Sequence, residues 1–139
     1  MRKAVTLAIA TLATLAALAG SAVAEDPVYF ADAKFKTAVE DALWVSDPTP
    51  THMLGLISLS AGLKGIEDIT GLEYATNLTS LQLPCNRINS ITAVSGLVNL
   101  RKLVLNNNEI NSLSPVSNLV NLEHLDVPHN RSAKSARSA

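Results

Sequence analysis

Leu78, Leu100 and Leu122 stand 22 residues apart, since 100 − 78 and 122 − 100 agree, and one more step back reaches Leu56. "LISLSAGLKGIED" opens at Leu56, "LTSLQLPCNRINS" at Leu78, "LRKLVLNNNEINS" at Leu100 and "LEHLDVPHNRS" at Leu122. Full units therefore begin at 56, 78 and 100, and a partial one at 122. This period constrains the fold more than any composition does. A unit of this length is one supersecondary turn that cannot bury its apolar side alone, so successive turns must stack.

Each full unit fits L-x-x-L-x-L-x-x-N-x-I-x-x-I/L-x-x-L/V-x-x-L/A-x-x, the pattern of the leucine-rich repeat. The period-2 part, such as Leu81-Gln82-Leu83, reads as a short strand with its leucines inward. Ile88, Ile91, Val94 and Leu97 line the returning arc, where Pro115 also falls, a residue that a strand ladder would reject. Asn86, Asn108 and Asn130 recur at the point where the chain bends away from the strand. A buried side-chain amide there offers donors and acceptors to backbone groups that lose their sheet partners. The first unit has Lys64 instead, between Gly62 and Gly65, and the two glycines are expected to take the bend unaided.

Ahead of the repeats, Asp32 can cap a helix whose Phe35, Ala38, Val39, Ala42 and Leu43 share one face. Trp44 closes it. This helix, with Tyr29 and Phe30 before it, is placed to cover the first open layer of the stack. Asp47-Pro48-Thr49-Pro50 then breaks the chain before the first strand. The predicted fold is α/β: a leucine-rich repeat solenoid arc with a helical N-terminal cap followed by about four short parallel strands.

"FADAKFKTAVEDAL", "DPTPTHMLGLISLSA" and "GIEDITGLEYATNLTSLQL" together resemble the secreted bacterial leucine-rich repeat proteins of the internalin type, over residues 28 to 130. The resemblance implies a module that binds proteins on its concave strand face and carries no catalysis.

The ends read differently from the repeats. Arg2 and Lys3, an apolar run from Ala4 to Ala19 and the small residues Ala22-Val23-Ala24 read as a secretory signal peptide cleaved after Ala24, in preference to an uncleaved membrane anchor. The expected division is 1–24 signal peptide, 25–55 helical cap, 56–130 repeats (56–77, 78–99, 100–121 and partial 122–130) and 131–139 a disordered basic tail. The leader holds two of the 11 basic residues and none of the 12 acidic ones, so the rest of the chain is acidic, which does not suggest a nucleic-acid partner. Six acids fall within residues 25 to 47 against Lys34 and Lys36, while Arg131, Lys134 and Arg137 close the chain. A secreted, cell-surface or periplasmic location follows from the leader, and the single Cys85 allows no internal disulfide. In the fourth unit Ser132 replaces the isoleucine of the earlier ones (Ile66, Ile88, Ile110), which reads as a module cut short, with weak self-association through its open last layer.

Strand alternation puts three columns on the concave face: Ser58, Ser80, Lys102, His124; Ser60, Gln82, Val104, Asp126; and Gly62, Pro84, Asn106, Pro128. Ser80, Gln82, Lys102, Val104, Asn106, His124 and Asp126 are the candidate ligand-binding residues, for a protein or cell-surface ligand. Four strands about 4.8 Å apart expose on the order of 200–300 Å², against about 800 Å² per partner for a stable interface. The alternative is a truncated or structural remnant that binds nothing by itself. Catalysis is disfavoured by distance. Ser58 and His124, with Asp126, are three strands and roughly 14 Å apart, where a nucleophile and its base need about 3 Å. Cys85 and His129 fail on the same ground. His124, Asp126 and His129 read as polar surface rather than a zinc site, and no cofactor is implied. Asn77-Leu78-Thr79 and Asn130-Arg131-Ser132 match the glycosylation sequon, but the ladder explains Asn130 better.

Overall fold

The computed structural model describes residues 23–130. The leader outside its last two residues, and the tail 131–139, lie outside the described residues.

One apolar residue at the centre of each three-residue strand turns inward, and this fixes the sheet. β1 (Ser58–Ser60), β2 (Ser80–Gln82), β3 (Lys102–Val104) and β4 (His124–Asp126) form one parallel sheet in the order β1-β2-β3-β4. Leu59 pairs with Leu81, Leu81 with Leu103 and Leu103 with Leu125, so the 22-residue period is also the strand register. Leu59, Leu81 and Leu103 are at most 2% exposed, and Ala61, Leu83 and Leu105 bury a second row behind them. The returning arc runs through 3₁₀ turns at Leu72–Tyr74, Thr92–Val94 and Ser114–Asn118, the last with Pro115 at its start, where a missing N–H costs nothing. Ile88, Ile91, Val94 and Leu97 are buried there as expected.

The asparagine ladder is present in full. Asn86 Oδ1 accepts from the backbone N–H of Lys64 (3.0 Å) and Ile66 (3.1 Å), while its Nδ2 donates to the carbonyls of Ala61 (2.8 Å) and Leu83 (3.1 Å). Asn108 accepts from Ile88 N–H at 3.1 Å and donates to Leu83 and Leu105 at 2.9 and 3.0 Å. Asn130 accepts from Ile110 N–H at 3.0 Å and donates to Leu105 and Val127 at 2.9 and 3.0 Å. Each amide thus ties its own turn to the one before. A second ladder, missed in the sequence, runs beside it. Asn77, Asn99 and Asn121 each donate to a carbonyl one turn back, those of Leu54 (3.0 Å), Thr76 (2.8 Å) and Val98 (2.8 Å).

The first bend corrects the sequence reading. Leu63, not Gly62, takes the left-handed conformation there, with φ 59°, followed by Gly65 at φ 68°. Cys85, Asn107 and His129 occupy the same place in later turns with φ of 56°, 57° and 60°. Gly62 serves packing instead, since a Cβ on it would meet Pro84 Cγ at 3.0 Å. The strand-to-arc bend is therefore left-handed in every turn, whatever the residue.

The cap helix α1 spans Ala33–Leu43, begins at Asp32 and ends at Trp44. Phe35 and Val39 are fully buried and Ala38 and Leu43 partly so, but Ala42 is exposed, because only one stripe of so short a helix reaches the first repeat. Asp32 is also the joint between cap and repeats. Its Oδ1 accepts from the N–H of Lys34 (2.8 Å) and Phe35 (3.2 Å), and its Oδ2 from the N–H of Glu67 (2.7 Å) and Asp68 (3.3 Å). Burial would push this carboxyl up, but four backbone donors outweigh it and hold the carboxyl below its ordinary range. The breaking segment after α1 contains a short helix α2 (Pro50–Met53), started by Thr49 in a capping box with His52. Glu25 accepts from the Thr51 hydroxyl (2.7 Å) and N–H (3.1 Å), and so stitches the start of the cap to α2. Among the described residues no helix is long and apolar enough to cross a membrane.

Candidate binding face

Because the inner position of each strand is apolar, its two flanking residues must face outward on the concave side. The register groups these flanking residues into the expected columns. Ser58 pairs with Ser80, Ser80 with Lys102 and Lys102 with His124; beside them Ser60 pairs with Gln82, Gln82 with Val104 and Val104 with Asp126. Lys102 and His124 are exposed, and Ser80, Gln82, Val104, Asn106 and Asp126 are half-buried. Asn106 lies two residues past the end of β3, where its carbonyl accepts from Cys85 N–H at 2.9 Å.

Charge is concentrated at the C-terminal end of this face. The first two rows offer Ser58, Ser60, Ser80 and Gln82, and the last two Lys102, His124 and Asp126. Lys102 makes no ion pair among the described residues, whereas its neighbour Arg101 is held by Glu123 at 3.0 Å and Arg87 by Glu67 at 3.4 Å. A free ammonium beside an imidazole, in a row of neutral hydrogen-bonding groups, can receive a carboxylate or a backbone carbonyl.

The sheet separates the residues of the candidate triad: Ser58 is on β1, and His124 and Asp126 on β4, with two strands between. Cys85 is half-buried and accepts a weak contact from Asn107 Nδ2 at 3.6 Å. Among the described residues no three His, Cys, Asp or Glu side chains converge as metal ligands would.

One feature of the face had no signal in the repeat pattern. A shallow groove of about 280 Å³ lies between α1 and β1, lined by Ala38, Asp41, Ala42, Ser60, Ala61 and Lys64 among others. It extends the concave surface onto the cap. Three alanines leave the space unfilled, which could be recognised only once helix and strand are known to be adjacent.

Residues 76–131 match the family model of the leucine rich repeat. None of the curated proteins matches the chain. Among solved structures, the internalin InlF from Listeria monocytogenes is similar with a TM-score of 0.73 and 28% identity, over 77% of this chain and 33% of its own length. The functional domain of InlJ from the same organism, which includes a cysteine ladder, is similar with a TM-score of 0.68 and 29% identity, over 73% of this chain and 23% of its own. A structure of the CBM51-2 and INT domains of ZmpB from Clostridium perfringens, in complex with GlcNAc, is similar with a TM-score of 0.54 and 28% identity, over 65% of this chain and 19% of its own. The chain thus spans about a third of InlF and less of the other two. Helical cap, parallel strands in 22-residue register and the two Listeria neighbours agree: the chain carries leucine-rich repeats and is similar in fold to the internalins.

Proposed function

We propose that this chain is an extracytoplasmic, non-catalytic recognition module that binds a protein or cell-surface ligand on its concave face. The observation that carries the reading is the exposed Lys102, without an ion-pair partner among the described residues, within a column of outward polar residues. Ser80, Gln82, Val104, Asn106, His124 and Asp126 surround it as contact residues. The Arg2-Lys3 start, the apolar run and the Ala-Val-Ala site support export, with cleavage after Ala24. The groove between α1 and β1 adds a little of the cap's surface to this face.

A crosslinker at Val104 tests this. With the intact exported chain on cells, it is expected to capture a defined surface protein, and one at Ala93 in the return arc is not. Lys102→Glu should weaken the captured complex about tenfold, and Glu109→Lys, off the face, should leave it unchanged. Equal capture from both crosslinker positions would favour the alternative, a structural piece with no binding of its own.

A second reading rests on Leu125, which is 41% exposed although its partners in register are buried. With the outer edge of β4 unpaired among the described residues, the exposed Leu125 supports weak self-association of the chain through β4.

A further inference from the structure

β1 pairs with β2 on one side only, and its other side faces α1. The Ile57 carbonyl accepts from Thr79 N–H at 2.8 Å, and the N–H groups of Ala61 and Leu63 donate to the Gln82 and Pro84 carbonyls at 2.9 and 3.1 Å. Odd-numbered residues therefore bond toward β2. Strand alternation turns the N–H and C=O groups of Ser58, Ser60 and Gly62 the other way, toward α1. None of these groups has a hydrogen-bond partner among the described residues. A helix cannot supply one, because its own N–H and C=O groups are bonded within it. α1 thus covers this edge and leaves it unpaired.

The gap between them stays open because the side chains there are small. α1 presents Ala38 and Ala42, one turn apart, and the strand side presents Ala61, around the groove of about 280 Å³. α1 runs antiparallel to β1. At one end Lys34 Nζ donates to the Gly65 carbonyl at 3.3 Å, and at the other Leu43 Cδ2 lies 3.9 Å from the Cβ that Gly55 lacks. The groove consequently has an acidic end at Asp41 and a basic end at Lys64. Both side chains are exposed, and neither makes an ion pair among the described residues.

Opposite charges at two ends, an apolar floor, and unpaired backbone donors and acceptors along one wall together match the chemistry of an extended peptide. We propose that the groove between α1 and β1 receives an extended segment of the partner polypeptide, which pairs with the outer edge of β1 at Ser58, Ser60 and Gly62. The segment turns a small apolar residue toward the alanines. The residues on either side of it, one basic and one acidic, meet Asp41 and Lys64. A partner helix has no free backbone groups to give this edge, so an extended chain is the occupant. The inference rests on the recognition reading above, whose face the groove continues, and names the form of the partner.

Backbone NMR of the full exported chain tests it, with two blocked tripeptides as probes, acetyl-Lys-Val-Glu-amide and acetyl-Glu-Val-Lys-amide. The amide signals of Ser60 and Gly62 should move as peptide is added, more for one order of charges than for the other, and should exchange more slowly with solvent. Asp41→Lys and Lys64→Glu should each weaken the preferred peptide about tenfold, and the double variant should reverse the preference. Ala42→Phe, which fills the groove from an exposed helix position, should abolish the response, and Glu109→Lys, off the face, should leave it intact. Movement at Lys102 and Val104 in place of Ser60, an unchanged preference in the double variant, or no response at millimolar peptide would overturn the groove site. The crosslinker at Val104 separates this from the wider reading. Capture there without a peptide response overturns the groove alone, and a peptide response without capture overturns the concave face and leaves the groove as the site.

Discussion

Asn108 uses its carbonyl oxygen and its amide to join two turns, and it is 7% exposed. Asn108→Ala leaves the N–H of Ile88 and two carbonyls unpaired in the interior, and should cost about 1–3 kcal/mol. The side chain of Asn106, two residues earlier on the concave face, has no such partners, and Asn106→Ala should stay within about 0.5 kcal/mol. Urea denaturation of both variants measures the difference, and equal midpoints would show that the ladder amide carries no special load. Asp32 makes a second prediction. Its carboxyl is held below the ordinary aspartate range, so the unfolded chain takes up the proton first as the pH falls. Its contribution is whole above the unfolded value of about 3.9 and is lost as the pH drops through the folded one. Asp32→Asn keeps a capping oxygen but no charge. The stability gap between it and the unaltered chain, read by denaturant melts at several pH values, should be open near neutrality and close in acid.

The elements differ in how far the sequence announced them. The strands and the first asparagine ladder were legible because their residues recur in register: Leu59, Leu81 and Leu103 inward, Asn86, Asn108 and Asn130 at the bend. The second ladder has the same period, but asparagine before a leucine does not by itself indicate a buried role. The left-handed bend was misread because Leu63, Cys85, Asn107 and His129 share a conformation and no chemistry, which drew attention to the nearby glycines. The 3₁₀ turns have neither strand nor helix periodicity. Asp32 read as a cap alone, since its partner N–H groups at Glu67 and Asp68 are 35 and 36 residues away. The glycine that matters most to the cap was also silent. Gly71 has φ 106°, and a Cβ there would sit 2.6 Å from Phe30 Cδ1 and 3.0 Å from the Tyr29 carbonyl. Gly71→Ala should destabilise by about 1–3 kcal/mol and loosen the cap from the first return arc. Gly96→Ala, where a Cβ meets nothing within 4 Å, should change stability by no more than about 0.5 kcal/mol. Thermal melts of the pair check this, and similar losses would mean that Phe30 gives way freely.

At the scale of the whole molecule, neighbouring turns are joined by sheet bonds and two ladders, and stability is shared between adjacent layers rather than held by one central core. The interior layers at Leu81 and Leu103 are fully buried on both sides, the first is covered by α1, and the last exposes Leu125. Hydrogen exchange should therefore be slowest at the backbone amides of Leu83 and Leu105 and fastest at those of Val127 and His129. Uniform protection from β1 to β4 would show that something covers the last layer. The binding face was legible in its columns and not in its extent, since the groove beside Ser60 arises from the docking of α1.

The left-handed bend carries a consequence for how such a chain can diversify. Four unlike residues occupy it at φ of 56–60°, and Leu63 there is 82% exposed. The conformation is imposed by the asparagine that follows or, in the first turn, by Asn86 reaching back to Lys64 and Ile66. The side chain at the bend is consequently under no architectural instruction, and it lies along the rim of the concave face. A position that every turn repeats, and that no turn needs for folding, is open ground for heritable variation. A saturation library at 63, 85, 107 and 129 should return folded proteins with glycine, asparagine and many unbranched side chains, and few with proline or β-branched residues, which the left-handed φ excludes or strains, while the neighbouring asparagines admit almost no substitute.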